Sequence, residues 1–108
     1  SRRQRLRGKL HLQRLFDTAK SAECRGLKLL YIENRCQWNR IAVCPVRSIR
    51  TAVERNREKR VCREIFRALN DRIKPGYDLA FILYPGPYSF SDRFRQVETL
   101  LAGSGLYQ

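Results

Sequence analysis

The stretch that decides the fold is Ala52 to Arg67, AVERNREKRVCREIFR. With each residue advanced about 100° around a helix axis, Val61, Cys62, Ile65 and Phe66 share one apolar stripe with Leu69 and Ile73 beyond the quoted run. Asn56, Lys59, Arg60, Arg63 and Arg67 gather on the adjacent stripe. The periodicity predicts a helix from Thr51 to about Ile73, ended by Pro75-Gly76. One flank must be buried against another layer, and the next presents a row of cations. Only Glu54, Glu58 and Glu64 are near enough along the helix to pair with them. Such a row suits phosphates presented in an array by a rigid scaffold. The bland alternative is a solvated, mixed-charge face, and the excess of cations on one arc weighs against it.

Working outward, a helical pattern runs upstream from about Lys9 to Ala19, with Leu12, Leu15, Phe16 and Ala19 on one face. Gly26 then punctuates the chain. Leu27 to Glu33 reads as a strand, 34–39 as a polar turn, and Arg40 to Val46 as a second strand. Pro45 fits a strand end, an edge or a bulge. Downstream, Asp78 to Tyr84 (DLAFILY) is nearly all apolar and predicts a strand covered on both faces. Pro85-Gly86-Pro87 makes a rigid turn. A last amphipathic helix follows from Phe90 to Ala102, with Phe94, Val97, Leu100 and Leu101 inward, and Gly103-Ser104-Gly105 ends it before Leu106 and Tyr107. The expectation is a small α/β sandwich with one mixed sheet, a single domain over 1–108, and a loose basic arm over 1–8.

Composition narrows the function. Lys and Arg total 23 against 10 Asp and Glu, a formal net charge of +13 over 108 residues. So basic a small chain repels itself unless a polyanion neutralises it. Arg outnumbers Lys, and its planar fork suits phosphates and base edges. No apolar run approaches the roughly 18 residues of a membrane span. The charged start has no apolar stretch of a signal peptide after it, and no lipidation motif is present, so a cytoplasmic protein with reduced thiols is expected. Cys24, Cys36, Cys44 and Cys62 lack the close spacing of a zinc site, and Cys44 and Cys62 read as small core residues. His11 is the one His, so no nucleophile–base pair or His-based metal set is available and no residue is assigned a catalytic role. A ribosomal protein or general RNA chaperone shares this charge and size. A DNA-binding module would want a partner helix and tight turn before the cationic helix, and none is seen.

Arg55-Asn56-Arg57, then Lys59-Arg60 and Arg63-Glu64, flanked by Ala52-Val53 and Phe66-Arg67, resembles the signature helix of the bacterial ribonuclease P protein component. The resemblance extends over nearly the whole chain, through Leu12 to Phe16 (LQRLF), Tyr31, the strand after Gly76, and Leu106-Tyr107. It implies an αβββαβα sandwich with a left-handed βαβ crossover, a handedness that runs against the general rule. It also implies that the partner RNA holds the active site and its magnesium; no metal site is assigned to the protein, and no membrane or obligate protein partner is expected. The signature helix would bind that RNA through Arg55, Asn56, Arg57, Lys59, Arg60, Arg63 and Arg67. A cleft would take the 5′ leader of precursor tRNA through Leu12, Phe16, Tyr31, Arg47, Lys59, Arg60, Arg63 and Tyr107. Leu12 stands where the family usually has Phe, so stacking is lost there. Arg47, Ser48, Arg50 and Thr51 replace the family's two Lys, Gly and Asn ahead of the helix. Arg50 thereby removes a residue free to take positive φ, while Thr51 can still cap. The residues alone leave plain core packing open for Phe16 and Tyr31.

Overall fold

The computed structural model describes residues 5, 6 and 9–108. Eight elements follow in chain order: α1 (Lys9–Thr18), β1 (Lys20–Cys24), β2 (Leu27–Glu33), β3 (Arg40–Pro45), α2 (Ala52–Leu69), a 3-10 turn (Asn70–Arg72), β4 (Tyr77–Leu83) and α3 (Phe90–Gly103). The strands make one mixed sheet in the order β1-β2-β4-β3. β1–β2 and β2–β4 are antiparallel, whereas β3 and β4 are parallel neighbours joined through α2. The αβββαβα order is therefore present.

Its first strand has no clear signal in the sequence. β1 reads KSAEC, with one small apolar residue and a thiol facing inward, because it is an edge strand that covers little core. Pro45 ends β3, the other edge, where a missing N–H leaves no ladder bond unmade. β4 is central, and Asp78, Leu79, Ala80 and Phe81 are all buried, as a strand covered on both faces requires.

Cross-strand partners share a face. One face carries Leu27, Leu29, Ile41, Val43, Leu79, Phe81 and Leu83, packed under Cys62, Ile65, Phe66 and Leu69 of α2 and Val97, Leu100 and Leu101 of α3. The opposite face carries Leu30 and Ala80, packed with Leu6 and with Leu15 of α1. α2 stops four residues before the expected end: Ile73 is buried but extended, bridged to Tyr107 instead of continuing the helix. Of the basic arm expected over 1–8, only residues 5 and 6 are described, and these are not loose. Leu6 is buried, and its amide donates to the Ile41 carbonyl at 2.7 Å, extending the sheet past β3.

Candidate RNA interface

The interface begins at the N-terminus of α2. Thr51 caps the helix, its hydroxyl accepting from the Glu54 amide at 3.1 Å. Ahead of it, the loop turns at Val46, whose carbonyl accepts from the Ile49 amide at 3.0 Å, and is anchored by the buried Ile49. Among the described non-glycine residues only Arg35 has positive φ, so Arg50 fills the family's glycine position without a left-handed backbone.

Along α2 the expected cations separate into three environments. Asn56, Arg60 and Arg67 are exposed, and Lys59 and Arg63 half-buried; none of these cations forms an ion pair among the described residues. Arg55 turns back, and its Nη1 donates to the Ile49 and Arg50 carbonyls at 2.8 Å each. Arg57 stands on the far side, where it lines a cleft of about 570 Å³ with Glu54, Pro85, Pro87 and Tyr88. Glu58 does not offset the cationic row. Its carboxylate faces α3 and accepts from Arg93 at 2.8 Å.

That Arg93 is a functional part of the architecture which sequence reasoning missed. It is 2% exposed. Besides Glu58, it donates to the carbonyls of Gly26 and Tyr84 at 2.8 Å and to Gln96 at 3.0 Å, and it lies over the Tyr88 ring. Gly26 is required there on two counts. Its φ is 89°, and an added Cβ would sit 2.6 Å from the Tyr88 ring. At the opposite end of the sheet, buried Asp78 takes a bidentate Arg40 at 2.8 and 2.9 Å and the Asn34 amide at 3.0 Å. An Arg on an amphipathic helix carries no sequence mark of burial. An Asp heading an apolar strand was the available signal for the second cluster.

The expected leader-binding residues do not all come together. α1 lies over β2 and β4. On that face Phe16 is 52% exposed and Leu12 is half-buried. A cross-strand row of Glu23, Lys28, Ile82 and Cys44 continues the face, and Lys28, Ile82 and Cys44 remain half-exposed. Burial raises the Cys44 thiol, and the nearby Lys59 ammonium partly opposes that shift. Cys44 is thus half-open surface, whereas Cys62 is core, its thiol pushed up to about 12 by burial. Tyr31 pairs with Leu79 and packs into the α2–α3 side, opposite Phe16. The residue of β2 that faces α1 is Leu30. Tyr107 also packs on the α2–α3 side, bridged to Ile73 with Arg72 over its ring. Arg47 is exposed on the β3–α2 loop, and His11 is exposed on α1. Among the described residues no three His, Cys, Asp or Glu side chains are placed to hold a metal, and no helix is long and apolar enough to cross a membrane.

A family model described as Ribonuclease P matches residues 1–104. The chain belongs to the ribonuclease P protein family. A Ribonuclease P protein component from Clostridium botulinum (strain Langeland) is 33% identical over 109 residues, covering 95% of this chain and 96% of that one. One from Caldanaerobacter subterraneus subsp. tengcongensis is 31% identical and covers 89% and 84%. The RNase P protein from Thermotoga maritima superposes with a TM-score of 0.81 at 25% identity, over 88% of this chain and 92% of that one. A mutant Staphylococcus aureus RNase P protein does so at 0.90, over 98% and 92%, with 19% identity, which bears on the fold alone. This ribonuclease P protein is a component of an endoribonuclease holoenzyme and works with the ribonuclease P RNA. The ribosomal alternative is not favoured.

Proposed function

We propose that the chain binds the 5′ leader of precursor tRNA alongside the catalytic RNA, and leaves phosphodiester hydrolysis to that RNA in the bacterial cytoplasm. The observation that carries this reading is the unpaired cationic row of α2, with Glu58 withdrawn to Arg93. Arg60, Arg63, Asn56 and Arg67 are the phosphate contacts for the RNA subunit. Lys59, beside Cys44, borders the half-open sheet face that takes the leader, and Arg63 follows it one turn along α2. Phe16 offers an exposed ring to an unstacked base, and Leu12 offers apolar contact only. Tyr31 and Tyr107 support that binding surface from the opposite side of the sheet.

Magnesium belongs to the RNA in this scheme. A hard cation wants several oxygen ligands, and the exposed row of α2 is instead cationic. The protein lowers repulsion between two polyanions and holds the leader in place. The test is cleavage of a precursor tRNA by a bacterial ribonuclease P RNA at low magnesium, with and without this protein. Strong stimulation, with the leader released at the mature 5′ end, is expected. Folded protein that fails to stimulate the RNA from its own source would leave only a basic RNA-binding domain.

A further inference from the structure

Arg55 belongs to the signature tripeptide, yet its surroundings differ from those of its cationic neighbours. It is half-buried, and both hydrogens of one guanidinium nitrogen are directed at the Ile49 and Arg50 carbonyls, 2.8 Å away in each case. These are the last two residues before the Thr51 cap. The loop they belong to is otherwise held at its start, by the Val46 amide on the Leu83 carbonyl at 3.0 Å, and in its middle, by the Ile49 amide on the Val46 carbonyl at 3.0 Å and the buried Ile49 side chain. Arg47 and Arg50 are exposed on this loop, and neither forms an ion pair among the described residues. Two free cations on a short loop bind phosphate better when the loop need not be ordered during binding.

We propose that Arg55 is a positioning residue for the RNA interface: it fixes the β3–α2 loop and thereby sets Arg47 and Arg50 as phosphate contacts, in place of making that contact itself. The inference rests on the RNA-binding reading and adds Arg50 to the surface. Lys at position 55 would retain the charge, but its stem is one bond shorter and its ammonium lacks the fixed planar geometry, so it cannot take the place of Nη1 between the two carbonyls.

The test is a coupling experiment on the full chain, with ribonuclease P RNA as the probe. Affinity is measured for wild type, Arg55→Lys, the pair Arg47→Ala/Arg50→Ala, and all three together. Arg55→Lys should weaken binding by about tenfold in the wild-type background. Once Arg47 and Arg50 are gone, the same change should cost less than about twofold, because nothing remains for the loop to position. A merely structural role would reduce binding equally in both backgrounds, as would a direct phosphate contact, and either result overturns the proposal. So does an Arg55→Lys variant that binds like wild type. Hydrogen exchange on the free protein gives a second readout. Exchange at the Ile49 amide should accelerate in Arg55→Lys while β4 stays protected, and an unchanged loop would also overturn it. Wild-type protein that binds no RNA would remove the RNA reading itself, whereas the exchange result would still report on the clamp.

Discussion

Along the two flanks of α2, arginines stand in opposite circumstances. On the inner side, Glu58 meets an arginine that is almost fully enclosed, with carbonyls from two other parts of the chain completing its fork. On the outer flank, Arg60, Arg63 and Arg67 form no ion pair with a carboxylate among the described residues. A buried charge is tolerated only when every donor is matched, so Arg93 is bound up in the fold. An exposed charge costs the fold little and remains available for a partner. Drawing Glu58 inward serves both ends: it neutralises Arg93 and leaves the outer flank uncompensated.

The contrast breaks most sharply at Arg93. Arg93→Ala strands a half-buried carboxylate and two carbonyls, and should cost about 3–5 kcal/mol of stability, read by denaturant unfolding. A loss below about 1 kcal/mol would mean that the knot is incidental. Arg60→Ala with Arg63→Ala should do the reverse. Stability should move by no more than about 0.5 kcal/mol per site. RNA affinity should fall roughly tenfold to a hundredfold, and the slope of log affinity against log salt should flatten by about 1.5–2. An unchanged slope would take these residues out of the interface.

A smaller effect sharpens the same division across the sheet. Phe16→Ala should leave the fold intact and weaken precursor tRNA binding by about 1–3 kcal/mol, with mature tRNA little affected. Tyr31→Ala should instead lower stability and affect both tRNAs alike, since its ring packs among core residues. Equal losses for both tRNAs from Phe16→Ala would remove it from the leader site. A last effect lies at alkaline pH. Cys62 is neutral in the fold to about pH 12 but ionises near its ordinary 9.0 when unfolded. Above pH 9 the unfolded chain therefore holds fewer protons, and stability falls as pH rises, by up to about 1.4 kcal/mol per pH unit from this group. Cys62→Val should make that decline shallower without abolishing it, because burial raises Cys24 and Cys44 in the same direction. An identical decline in the variant would place the effect elsewhere.

Much of this molecule is written in local pattern. The apolar stripe of α2, the double-sided β4 and the inward residues of α3 follow from the periods of 3.6 and 2. Pro45 at a strand end and Thr51 as a cap follow from backbone chemistry. The weak edge strand β1 was not legible, since an edge covering little core needs no apolar alternation. Phe16 shared a predicted face with Leu12 and Leu15, but only Leu15 is fully buried, because a helix lying over two strands covers a narrower arc than its apolar stripe.

By itself the sequence determined a basic single-sheet α/β chain and the helix that carries its cations, because charge and periodicity are properties of neighbours along the chain. Tertiary structure alone decided which cations stay free. Arg93 and Arg60 are the same residue on similar amphipathic helices. Gly26, Tyr84 and Glu58 close around the first, whereas the second stays exposed. It also decided that Phe16 and Tyr31 lie on opposite faces of the sheet, since strand register fixes each side chain's face only once the strands are paired.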